Sequence, residues 1–152
     1  MNSSPVRSRY GQLGRPGSDY DAIAKPVVTA SGERFTGAIE VAAGNQTACA
    51  RRKNGTVWCW GVNEAGELAS SMQLFSRAYA GPVLDGGGEP LTGAEQVAVG
   101  IQGGHVCVRK IDGTLWCWGL HRSGDEWSTS PVQVGALGTM VSAVALGANH
   151  SC

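Results

Sequence analysis

Short apolar runs alternate with turn residues along this chain, and one such passage occurs twice. Thr47 to Arg52 is followed by Lys53-Asn54-Gly55, then by Thr56-Val57-Trp58-Cys59-Trp60-Gly61. The later passage has the same layout, with Cys107-Val108-Arg109-Lys110, then Asp112-Gly113, then Thr114-Leu115-Trp116-Cys117-Trp118-Gly119. Asn-Gly or Asp-Gly between apolar β-formers is a strong hairpin signal. The recurrence of Cys49–Gly61 as Cys107–Gly119 marks an array of repeats, which decides how the rest is read.

The turn length sets the register. A two-residue turn, Asn54-Gly55 alone, places Cys49 opposite Trp60. A three-residue turn with Gly55 left-handed pairs Arg52 with Thr56 and therefore Cys49 with Cys59. The same count pairs Cys107 with Cys117. Directly opposed residues in a non-hydrogen-bonded pair lie about 4.5 Å apart at Cα, near the short end of the disulfide range. The three-residue turn accounts for both cysteine pairs, so we expect disulfides Cys49–Cys59 and Cys107–Cys117, with Cys152 free.

The other runs fall into place around the hairpins. Pro26-Val27-Val28, Pro82-Val83-Leu84 and Pro131-Val132-Gln133-Val134 read as strands opening successive repeats, separated by 56 and then 49 residues. Val41-Ala42-Ala43-Gly44, Val97-Ala98-Val99-Gly100 and Val144-Ala145-Leu146-Gly147 are small apolar strands ending in Gly. Repeats of that length hold four short strands and their turns, which is one β-propeller blade. Small side chains suit strands crowded at a central axis. Val57-Trp58-Cys59-Trp60 is apolar on both faces, as expected of a strand covered on both sides. Trp58, Trp60, Trp116 and Trp118 supply the large apolar area that stacked blades need.

We therefore expect an all-β chain of four-stranded antiparallel blades, with two complete repeats and partial ones at both ends. Residues 1–24 hold the tail of a preceding repeat (Tyr10-Gly11-Gln12-Leu13-Gly14) and a loop. Repeat one spans 25–80, repeat two 81–130, and 131–152 begins a third, whose hairpin stops at its first cysteine, Cys152. Ala65-Gly66-Glu67-Leu68 echoes the tail after the first hairpin, and Ser123-Gly124-Asp125 echoes it more weakly after the second. Ser70–Ala80 reads as an inserted loop.

Composition narrows the function classes. Twelve basic residues balance twelve acidic ones among 152, so there is no electrostatic argument for nucleic acid or an anionic membrane. No apolar run approaches the roughly 20 residues of a membrane span, and residues 1–9 lack the apolar core of a signal peptide. Gly is abundant, at 23 residues, and no convincing amphipathic helix occurs, which fits an all-β protein. Paired cysteines imply an oxidising compartment, hence an extracellular or cell-surface location. Free buried thiols in a cytoplasmic protein are the alternative.

The ordered set Pro-Val, Val-Ala-x-Gly, His-x-Cys, Asp-Gly-Thr-Leu-Trp-Cys-Trp-Gly and Tyr-Gly-Gln-Leu-Gly resembles the regulator of chromosome condensation repeat. The likeness covers residues 25–152 and the Tyr10–Gly14 tail. Its cysteines make it similar to bacterial exported members. The resemblance implies a seven-bladed propeller of about 50 residues per blade, of which this chain would be an open fragment with the remaining blades missing. Family members that act by contact include a promoter of nucleotide exchange on a small nuclear GTPase and a secreted β-lactamase inhibitor.

Candidate chemistry fares poorly against simpler readings. His105 and His150 each precede a Cys by two residues, but Thr47 takes that place in the first hairpin and no Cys-x-x-Cys knuckle occurs. A hydrogen-bonded His at a strand start is the better reading, and no metal or cofactor is expected. Asp85-Gly86-Gly87-Gly88-Glu89 lacks the Gly-Lys-Ser/Thr ending of a phosphate loop. Ser128, Ser130 and His121 lie in no nucleophile elbow. Arg51-Arg52-Lys53 and Arg109-Lys110 read as solvated hairpin ends. Gly55, Gly61, Gly113 and Gly119 read as turn residues. The expected function is a non-enzymatic scaffold that binds a protein partner through its loops, with Gly66–Gly81 and Asp85–Thr92 as contact candidates. Two alternatives are guanine-nucleotide exchange on a small GTPase and a structural cell-surface repeat protein.

Overall fold

The hairpin turn fixes everything downstream of it. In the computed structural model, which describes residues 6–7, 10–17, 20–21, 23–70, 74–101, 104–120, 128–148 and 150–152, the three-residue turn forms twice. Arg52 N–H donates to Thr56 O and Lys110 N–H to Thr114 O, both at 2.9 Å. Gly55 and Gly113 both sit at φ +78°, where a residue with a Cβ would be strained. Asn54 and Asp112 brace the turns, each accepting at Oδ1 from the backbone N–H and hydroxyl of the Thr two residues on.

The described strands are β1 (Val6–Arg7), β2 (Tyr20–Asp21), β3 (Ala38–Ala43), β4 (Thr47–Arg52), β5 (Val57–Val62), β6 (Ser76–Pro82), β7 (Ala94–Val99), β8 (His105–Lys110), β9 (Leu115–Gly119) and β10 (Ser128–Gln133). A 3-10 turn covers Gly135–Leu137. Two four-stranded antiparallel sheets form, β3-β4-β5-β6 and β7-β8-β9-β10, and β1 pairs with β2. Both large sheets are simple meanders, and the 28–29 segment bridges the β6 edge of the first at Ala80.

The sheets stack face to face, and alternation along each strand decides what lies between them. Cys49, Val57 and Cys59 of the first sheet share one core with Val97, Val106, Val108 and Trp118 of the second, and Leu68, Val83 and Leu91 close it. On the opposite face of the first sheet, Ala48, Ala50, Trp60 and Ala80 pack with Val27 and Phe35. Beyond the second sheet, Cys107, Leu115 and Cys117 pack against Val144 and Leu146. Each sheet thus turns its tryptophan face towards the preceding segment and its cystine face towards the following one.

The outer strand corrects the sequence reading. Ser70–Ala80 reads as an insertion, yet Ser76–Pro82 is the fourth strand of the first sheet. Pro82-Val83-Leu84 is not the first strand of the second repeat, because Pro82 ends β6 opposite Trp58. Likewise Pro131 and Val132 lie within β10. A division of the chain at 80/81 or 130/131 therefore passes through an outer strand. The physical reason is the half-buried, small-residue character of these strands, which leaves no hydrophobic alternation to read. A register shift between Cys59 and Gly61 in the β5–β6 pairing further obscures the pattern. Ser123-Gly124-Asp125 lies outside the described residues.

Candidate functional site

The repeated residues occupy interior positions. Cys49 stands opposite Cys59 and Cys107 opposite Cys117, with sulfurs 2.15 and 2.13 Å apart and Cα atoms 4.1 Å apart in both pairs. All four are buried, whereas Cys152 is free and exposed. Gly61 and Gly119 have positive φ, and a Cβ on either would collide with a carbonyl oxygen, of Gln46 and Gly104 respectively. Trp58 and Trp116 are half-buried, and each donates Nε1–H to the Thr two residues before it.

Trp60 and Trp118 are capped by an earlier part of the chain. Trp118 Nε1–H donates to Glu67 O at 2.7 Å, and Trp60 Nε1–H donates to Gln12 O at 3.0 Å. Gln12 lies in Tyr10–Gly14 and Glu67 in Ala65–Ala69, and these tails share their internal hydrogen bonds. Tyr10 N–H donates to Gln12 Oε1 and Ala65 N–H to Glu67 Oε2. Gly14 N–H donates to Gly11 O and Ala69 N–H to Gly66 O. Burial raises the Glu67 pKa, although backbone N–H groups and nearby Glu64 also act on it. The Asp112 carboxylate is held below its usual range, chiefly by the Thr114 hydroxyl and then by the Thr114 backbone N–H.

The histidines have packing roles. The buried His105 ring lies on Gly100, where a Cβ would come within 2.7 Å of it, and Ser151 Oγ is 3.4 Å from His105 Nε2. The exposed His150 ring lies on Gly147 in the same way. Among the described residues no group of three or more His, Cys, Asp or Glu side chains is placed to hold a metal. The Ser128 hydroxyl donates to the Ser130 carbonyl, and His121 lies outside the described residues. The basic clusters are not simply solvated. Arg51 pairs with Glu40 at 2.7 Å and Arg109 with Glu95 at 2.9 Å. The Arg52 guanidinium lies 5.5 Å from the ring centres of both Phe35 and Trp58, and Lys110 Nζ lies 4.7 Å from that of Trp116.

Two features distinguish one unit from the other and are open to a ligand. The first is the crossover after β6. Asp85 Oδ1 accepts from Gly87 N–H at 2.8 Å and Glu89 N–H at 3.0 Å, Asp85 N–H donates to Glu89 O, and Leu84 bridges Pro90. These bonds hold Gly86–Pro90 as an ordered, exposed, acidic loop. The second is a cavity of about 670 Å³ between β6 and the 29–36 segment, lined in part by Arg52, Arg77, Phe35, Trp58 and Tyr79. Arg77 is only 6% exposed. Its Nη2 donates to Cys59 O and Gly81 O, both at 2.8 Å, and Gly81 makes room for it, since a Cβ there would lie 2.5 Å from Arg77 Cζ. Its Nε is buried without a partner. Burial lowers the Arg77 pKa. No periodicity marks Arg77 in sequence; the one signal is a cation inside a small-residue run ending in Gly81-Pro82.

Two stacked four-stranded antiparallel meanders, each with a Trp-rich third strand, define blades of a β-propeller. Residues 38–67 match the model of the regulator of chromosome condensation (RCC1) repeat. The chain thus carries an RCC1-type repeat at residues 38–67, within the first sheet and the tail that follows it. It is 29% identical over 149 residues to the human E3 ubiquitin-protein ligase HERC2 and 30% identical to the mouse protein, spanning 93% of this chain but 3% of those relatives. Human WBSCR16 is similar in structure, with TM-score 0.71 and 20% identity, over 93% of this chain and 37% of that one. Yeast RCC1 (Prp20), in a structure with bound Kap60, matches at TM-score 0.70 and 14% identity, over 95% and 36%. A further structure of Prp20p from Saccharomyces cerevisiae, whose description names binding to Gsp1p and histones, matches at TM-score 0.63 and 17% identity, over 95% and 37%.

Proposed function

We propose that this chain is a protein-recognition scaffold, presenting differing loops on a repeated frame. One observation carries the reading: the repeated residues are spent on turns, cystines and capped tryptophans, while the two units differ in their crossovers and outer strands. Recognition on repeat proteins resides in such variable segments, because the frame beneath them is rigid. The acidic 85–90 loop is a suitable contact, since its turn is already ordered and little entropy remains to be lost on binding. Among similar structures, yeast RCC1 is described with Kap60, Gsp1p and histones; those partners belong to that protein.

The two cystines favour an oxidising compartment, extracellular or cell-surface, because such bonds persist there. They weigh against nucleotide exchange on a GTPase in a reducing compartment. Thiol counting on native protein separates the two: free thiols at Cys49, Cys59, Cys107 and Cys117 would revive the exchange-factor reading.

The direct test uses the intact protein. Affinity capture from its native source identifies a partner, and the affinity is then measured with both components purified. Glu89→Lys reverses one exposed charge on the ordered loop and should weaken binding at least tenfold with an unchanged melting curve. Undiminished binding in that variant and in a Gly-Ser replacement of Gly86–Gly88 would exclude this loop as the contact.

A further inference from the structure

We propose that the cavity beside β6 is a recognition pocket for an acidic side chain of a protein partner, with the Arg52 and Arg77 guanidiniums as its anion-binding groups. This rests on the scaffold reading above and names the chemistry of one contact.

The argument starts from Arg77. A guanidinium has five N–H donors and is costly to bury unless they are used. Here one nitrogen serves two backbone carbonyls, while the buried Nε has no partner. The side chain is nonetheless held in place, seated on Gly81 and tied to Cys59 and Gly81. Arg77 is also one of the residues lining the cavity, and a fixed guanidinium there is suited to a carboxylate.

Arg52 adds a second cation, lying against the contacting ring pair of Phe35 and Trp58. Trp58 is itself fixed through Thr56 to Asn54, so the aromatic seat of Arg52 is pre-organised. Arg34 and Glu33 also line the cavity. Three guanidiniums thus face one carboxylate across the lining residues, leaving an uncompensated positive charge. Phe35, Trp58 and Tyr79 supply apolar wall for the methylene stem of a Glu or Asp and its neighbours. At about 670 Å³, the space suits several residues rather than one small anion, and lies within the usual range of ligand pockets.

The second unit shows that the repeat does not require this arrangement. Arg77 stands opposite Gly61 and Ser128 opposite Gly119, so Ser128 is its counterpart. There the serine hydroxyl turns back to Ser130 O.

The test is calorimetric titration of the intact protein with acetylated hexaglutamate, with hexalysine, sodium glutamate and inorganic phosphate as comparison ligands. We expect saturable 1:1 binding of hexaglutamate that weakens with salt, at least tenfold weaker in both Arg52→Gln and Arg77→Lys. Lys53→Gln, at an exposed neighbour outside the lining, should bind as the parent does. If Arg77→Lys loses its near-ultraviolet dichroism, the half-buried Arg52→Gln carries the test. No saturable binding, equal loss in Lys53→Gln, or free glutamate or phosphate binding as tightly as hexaglutamate would each overturn the pocket. An identified partner that binds Arg52→Gln and Arg77→Lys with parental affinity would also overturn it, while leaving the scaffold reading standing. Hexaglutamate binding that disappears only in the cavity variants, in a protein whose 85–90 loop has been replaced, would support the pocket independently of that loop.

Discussion

The two sheets share one hairpin design and differ in surroundings. Val41 of β3 and Val97 of β7 hold equivalent places, opposite Ala50 and Val108. Val41 is 63% exposed, whereas Val97 is 4% exposed because it packs against the first sheet. The same residue at equivalent places thus has opposite burial, according to whether another blade covers that face. The hairpin is specified locally, while its burial depends on its neighbours, as in quasi-one-dimensional repeat proteins.

The largest expected effect tests the shared frame. Gly61→Ala and Gly119→Ala place a Cβ at positive φ and against a carbonyl. Each should destabilise by about 3 kcal/mol, from backbone strain plus overpacking. Chemical denaturation should show equal losses; a tolerated substitution in either sheet would break the equivalence. Replacing one cystine with serines comes next. The chain-entropy model gives roughly 2–3 kcal/mol for a closed loop of about ten residues, reduced by any hairpin already present in the unfolded chain. The same loss is expected for Cys49/Cys59 and Cys107/Cys117.

Trp118→Phe should cost about 2 kcal/mol, because it leaves the buried Glu67 carbonyl unpaired and opens a small void. Trp60→Phe, capped by Gln12, should match it within about 1 kcal/mol. A much smaller cost at Trp60 would mean that the Tyr10–Gly14 tail is a weaker cap than its counterpart.

The smallest effect separates the two tails by charge. Gln12 and Glu67 make the same bond to the backbone N–H two residues earlier, but only Glu67 titrates. Its folded-state pKa is raised from the ordinary 4.5. The folded state therefore binds more protons than the unfolded state between those two values, and stability falls as pH rises through that interval. The contribution is fully present below the ordinary value and lost above the raised one. Glu67→Gln should flatten that slope and change stability by less than about 1 kcal/mol at neutral pH. Asp112 acts in the opposite sense, its contribution being lost as pH falls from the ordinary 3.8 through the lowered folded value. Melting curves across mildly acidic pH check the first sign; a slope that persists in Glu67→Gln would assign it elsewhere.

Much of this was legible in the residues. Asn54-Gly55 and Asp112-Gly113 can form only a few turns, and two cysteines at the same offset select one register. The tail was legible through its echo of Ala65–Leu68, though not its hydrogen bond to a tryptophan 48 residues on. The outer strands were not, because Ser76–Pro82 lacks a two-residue alternation and its pairing is interrupted. Arg77 was missed for a related reason. Its burial follows from the register shift in the β5–β6 pairing and from its side chain seating on Gly81, neither of which a local pattern encodes. Arg52 is legible in sequence only as a hairpin-end charge, because Phe35 and Trp58 meet it only in the fold.

The tail-to-tryptophan bond also has a direction in time. Gln12 precedes Trp60 by 48 residues and Glu67 precedes Trp118 by 51. During synthesis from the N-terminus, each lid leaves the ribosome before the ring it will cover. A nascent blade therefore finds the acceptor for its indole N–H already made. Assembly can then run as a ratchet from early repeats to late ones.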